Sequence, residues 1–87
     1  MKSLLLKIGS KQYTVIDWEH GFSKKYHVVV TFTDGGIKYI NSDHLCYQAC
    51  LLYTYDKARA EKFYKSIPES DEYSISLSKQ DKVLLSK

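Results

Sequence analysis

The sequence predicts an α+β fold: a single, mostly antiparallel, twisted sheet of five to six strands with one helix in the C-terminal half, in the order β-β-β-β-β-α-β. Three observations predict it. Short segments of two-residue apolar alternation recur along the chain, separated by Gly, Asp and Ser turn signals. One stretch, Ala60 to Ile67, changes to the i, i+3, i+4, i+7 spacing of a helical stripe. The 87 residues, 44% hydrophobic and 26% charged, suffice for one domain, residues 1–87, and one core.

The elements follow in order. Leu4, Leu6 and Ile8 alternate with Ser3, Leu5 and Lys7, a strand period. Gly9-Ser10 is a turn, and "QYTVIDWE" resumes with β-branched and aromatic residues, so the two segments pair as a hairpin. "HGFSKK" is the next loop. "HVVVTFTDGGIKYI", His27 to Ile40, reads as a second hairpin about Asp34-Gly35, a turn pair whose backbone matches strand twist. That register sets Val30 opposite Tyr39. Val28, Val30, Phe32, Ile37 and Tyr39 then share a core side, and His27, Val29, Thr31, Lys38 and Ile40 share the other.

Asp43 to Tyr55 reads two ways. A helix would align Leu45, Ala49 and Leu52. A strand would set Cys46, Cys50 and Leu52 against Tyr47, Ala49, Leu51 and Tyr53, and the run Leu51 to Tyr55 favours it by side-chain type. Thr54 or Asp56 can then cap a helix. Ala60, Phe63, Tyr64 and Ile67 form its apolar stripe, and Pro68 ends it, because the residue before a proline is pushed out of helical geometry. In "ESDEYSISLS", Tyr73, Ile75 and Leu77 point inward and Ser74, Ser76 and Ser78 toward water. "KQDK" turns, and "VLLS" adds a short final strand at most.

Charge and motifs narrow the function classes. Twelve of the thirteen basic residues are lysine and Arg59 is the only arginine. Readers of nucleic-acid sequence lean on arginine for bidentate contacts, so nucleic acid is the less favoured partner. The apolar run Leu4-Leu5-Leu6 is too short for a signal core, which needs roughly 7–15 apolar residues, and no stretch approaches the roughly 20 of a membrane span. Two cysteines make no disulfide framework. A soluble, cytoplasmic protein is the expectation.

The candidate chemistry is sparse. Asp17, Glu19 and His20 offer oxygen and nitrogen donors for a divalent metal, yet no second cluster completes a site. His44, Cys46 and Cys50 resemble a zinc half-site by spacing. On a strand, however, the two sulfurs stand about 13 Å apart, at roughly 3.3 Å per residue, too far for one metal or a disulfide. Nothing near either thiol lowers its pKa recognisably. Gly35-Gly36 lacks the context of a phosphate loop. The expectation is therefore no enzyme, no cofactor and no metal.

What remains is surface. A helix of about eleven residues spans about 16 Å and roofs only part of one sheet face. On the other face the pattern places Leu5, Val29, Ile40 and members of the Tyr47-to-Tyr53 series. Either the sheet curls into a half-barrel, or this apolar surplus meets another protein or a second copy of the chain. Trp18, Tyr47 and Tyr53, with Val29 and Ile40, are the candidate contacts, since aromatic residues anchor interfaces. In its shortness, its single domain and its wealth of Lys, Tyr and Ile, the chain resembles small accessory proteins of large bacteriophages. That resemblance implies an inhibitor of a host or defence protein, or a chain that sequesters a small signal molecule.

Overall fold

The structure, a computed structural model, describes residues 4–16, 25–33, 39–41, 48–80 and 82–87. It is α+β, with β1 (Leu5–Ile8), β2 (Lys11–Thr14), β3 (Tyr26–Phe32), β4 (Gln48–Thr54), α1 (Lys57–Ser66), β5 (Tyr73–Lys79) and β6 (Lys82–Ser86). The strands form two antiparallel sheets, a β1-β2 hairpin and a four-stranded sheet in the order β4-β3-β5-β6. The expected single sheet is thus divided, and the larger one is open rather than closed on itself.

The hairpin forms as its sequence predicts, Ile8 pairing with Lys11 across Gly9-Ser10. Gly9 takes φ +63°, a backbone region closed to most side chains. The second expected hairpin does not form. Val30 lies opposite Ala49 on one side and Ile75 on the other, so both edges of β3 are occupied and nothing is left for Tyr39. Tyr39 instead bridges Leu6, and the Ile40 N–H donates to the Leu5 carbonyl at 2.8 Å. The turn residues 34–38 lie outside the described residues. The more apolar β4 and β5 take the two positions beside β3. The order of elements accordingly becomes β-β-β-β-α-β-β.

The strand alternative for Asp43–Tyr55 holds over Gln48–Thr54. One detail of its faces differs. Val28 pairs with Leu52 and Val29 with Cys50, so Leu51 is an extra residue in the ladder, a β-bulge. The bulge turns Leu52 into the main core beside Ala49 and Leu51, and leaves Cys50 and Tyr53 together on the opposite face.

The helix is capped at Asp56, whose Oδ1 accepts from the Arg59 N–H at 3.2 Å. Ala60, Tyr64 and Ile67 are buried as their spacing predicts, and Ile67 leaves helical geometry just before Pro68. The α1 stripe and the β1-β2 hairpin together roof one face of the four-stranded sheet. Leu6 and Ile8 join Val28, Val30, Phe32, Ile75 and Leu77 in one cluster. Tyr13 meets Phe63 edge-on at 5.8 Å between ring centres, tying hairpin to helix. The expected shortage of roofing on this face is therefore corrected: a hairpin shares the task with the helix.

In β5, Tyr73, Ile75 and Leu77 face that core. The Tyr73 hydroxyl donates to the Pro68 carbonyl at 2.6 Å. Ser74 is exposed, but Ser78 is buried, so the serine side is not uniformly wet. The "VLLS" segment is a full strand, β6, paired to β5 and, among the described residues, to no other strand.

Candidate protein-binding surface

The ladder registers lay out the second face of the sheet in rows. Tyr53, His27, Ser78 and Val83 stand side by side across all four strands. Cys50, Val29, Ser76 and Ser86 form the next row, then Gln48, Thr31 and Ser74. At about 4.8 Å between strands, the two four-residue rows are about 14 Å wide and the third about 10 Å.

The middle of this face is closed. Val29 is 4% exposed and Cys50 is fully buried, with Ile16 and Tyr53 packed against them. Ile16 is positioned by a bridge to β4, its N–H donating to the Cys50 carbonyl at 2.8 Å. The His27 ring is buried, and its Nδ1–H donates to the Lys25 carbonyl at 3.2 Å. Lys25 also sets its ammonium over two rings, 4.5 Å from the centre of Tyr53 and 5.0 Å from that of Tyr55.

The candidates read from the sequence are scattered by this arrangement. Trp18 and Tyr47 lie outside the described residues. Tyr53 is half-buried on the second face, under the Lys25 ammonium. Val29 lies on the same face as a floor to its neighbours, not as surface that a partner reaches. Ile40 is 47% exposed but stands beside β1, so it does not share the face of Val29.

The exposed apolar residues that the fold gathers are elsewhere. Val83, Leu84 and Leu85 are 59%, 41% and 38% exposed, consecutive on β6. Val83 pairs with Ser78 and Leu85 with Leu77, so Leu84 is the extra residue of a second bulge. Among the described residues β6 is an edge strand, and all five of its residues are exposed. At the opposite edge, β4 is already met by Ile16. Sequence alone hid this surface, because "VLLS" reads as a strand whose position in the sheet is decided by distant pairings. The lysines that bracket it, Lys82 and Lys87, are the local signal of an edge.

Chemistry is weakly provided for. Burial pushes the Cys50 thiol from 9.0 up to about 12, which withholds the thiolate a nucleophile or metal ligand needs. Among the described residues no three His, Cys, Asp or Glu side chains stand together as a metal site; His20, His44 and Cys46 are outside that set. A shallow depression of about 250 Å³ on the outer side of α1 is lined by Arg59, Lys62, Phe63 and Ser66. No helix among the described residues is long and apolar enough to cross a membrane.

No family model, curated protein or solved structure matches this chain.

Proposed function

We propose that this chain is a non-enzymatic binding module that acts through protein–protein contact. The observation that carries the reading is the edge strand β6, with Val83, Leu84 and Leu85 exposed in succession. Scattered single apolar residues on a surface are ordinary. Three in a row on a strand that is an edge among the described residues are more apolar surface than an edge usually shows, even one bracketed by lysines, so their presence supports a partner. The buried, strongly protonated Cys50 agrees with a role without covalent catalysis. The resemblance to small bacteriophage accessory proteins suggests that the contact is inhibitory, masking a surface of a host or defence protein.

The test is comparative. Leu84→Glu places a charge where the reading needs an apolar contact, at an exposed position where substitutions usually change stability by no more than about 0.5 kcal/mol. A protein retained stoichiometrically by the native chain from its source cells is expected to be lost by Leu84→Glu, with circular dichroism and melting temperature unchanged. Retention indifferent to that substitution would remove β6 from the account.

A second reading, a nucleotide or nucleic-acid binder, is favoured by the α1 depression, whose lining includes Arg59, Lys62 and Phe63. Its mark is an affinity that falls steeply with salt and is lost in Arg59→Ala. Binding insensitive to both would exclude it.

A further inference from the structure

We infer that β6 is a strand-addition site for an extended segment of another protein, flanked by carboxylates. This rests on the protein-binding reading and specifies the partner's chemistry. The backbone sets the first requirement. Lys87 and Ile75 exchange both backbone hydrogen bonds, at 2.8 and 2.9 Å, so Lys87 turns its polar groups toward β5. In an antiparallel ladder successive residues alternate, and Ser86 therefore directs its N–H and C=O away from the sheet. An extended backbone can pair with the Ser86 groups while also covering Val83 and Leu85, which lie on alternate sides of the strand.

Charge decides between a second copy and a different chain. Lys79 lies directly opposite Lys82 in the ladder, a like-charge pair that costs stability in a sheet. The Lys79 ammonium is turned onto the Tyr26 ring, 4.6 Å from its centre. Lys87 closes the other end of the strand, its ammonium 4.8 Å from the centre of the Tyr64 ring. A twofold antiparallel pair of β6 strands would bring Lys82 of each copy to the Lys87 end of the other, and would set bulge against bulge. A segment with Glu or Asp at its ends turns the same lysines into partners. The bulge and the lysines thus discourage self-stacking and leave an acidic segment as the occupant that fits.

The probes are two capped hexapeptides, Glu-Val-Thr-Val-Thr-Glu and Lys-Val-Thr-Val-Thr-Lys, titrated into the ¹⁵N-labelled full chain. The acidic peptide is expected to shift the Leu85 and Ser86 amide signals saturably and to slow exchange of the Ser86 N–H. The lysine peptide is expected to bind at least fivefold more weakly. Ser86→Pro removes the outward N–H without touching a bond to β5, and is expected to abolish the response with the β3 signals in place. Lys82→Glu leaves the backbone intact and is expected to narrow or invert the preference between the peptides. Equal response to both peptides, response at another surface, no response to either, or sedimentation of the chain alone as a dimer paired through β6 would each overturn the inference. Loss of a captured protein in Leu84→Glu without peptide binding would sink strand addition and leave the protein-binding reading standing.

Discussion

Cys50 illustrates how much one side chain's surroundings decide. It is fully buried between Val29 and Ile16, and its Sγ–H donates to the Leu52 carbonyl at 3.5 Å. The folded chain keeps the thiol protonated up to about 12, whereas the unfolded value is 9.0. Between those values the folded state binds more protons than the unfolded one, so stability falls as pH rises through the window and is complete below it. The slope for this one group reaches about 1.4 kcal/mol per pH unit. Urea titrations of the reduced protein and of Cys50→Ala from pH 8 to 11 are expected to converge as pH rises, because the variant lacks this loss. A constant difference across the range would mean that the thiol is not held protonated. The sequence marked Cys50 as an ordinary buried thiol on a strand, and that was legible from its apolar neighbours. Its separation from Leu52 was not. A bulge at Leu51 breaks the two-residue rule, and it arises from cross-strand register, which no local pattern encodes.

At the scale of elements, the parts that form by local rules were the readable ones. The α1 stripe, its stop before Pro68 and the inward side of β5 all follow from spacing. Asp56 satisfies an amide of the first turn, and Thr54 Oγ1 in turn accepts from the Asp56 N–H at 3.1 Å. Asp56→Ala is expected to cost about 1 kcal/mol in chemical denaturation, and Asp56→Asn much less, because asparagine also caps. An equal cost for both would assign the effect to charge rather than to the cap. The misread element was the hairpin after β3. Asp34-Gly35 is a local turn signal, but which strands flank Val28, Val29 and Val30 is a contest among all strands. β4 and β5 win it because each carries its own apolar row to match: Ala49 and Leu52 on one side, Ile75 and Leu77 on the other. The short turn between β5 and β6 shows the opposite balance. Gln80 sits at φ 53°, a strained value for a side-chain-bearing residue, and the ladder holds it there.

For the whole molecule, the Cα radius of gyration of 12.4 Å is close to the roughly 12 Å of a folded chain of this length. Its extents, 31 × 31 × 21 Å, describe a flat slab: one layer is the four-stranded sheet and the other is α1 with the β1-β2 hairpin. Among the described residues little apolar area is left on the sheet's second face, where Ser74, Ser76, Thr31 and Gln48 stand around a small buried pair. The exposed apolar surface migrates to the rim, to β6 and to Tyr55, which is 71% exposed. Under the proposed binding role, that shift from face to edge changes the kind of partner expected, from one that meets a flat apolar patch to one that offers an extended backbone. It was beyond sequence reasoning, because edge position is a property of the finished sheet.

Hydrogen–deuterium exchange with and without the captured partner tests the account most directly. It predicts partner-dependent protection concentrated in residues 82–87, with α1 and β2 unchanged. Protection confined to the Arg59–Ser66 side of the helix, with β6 exchanging as in the free chain, would contradict it.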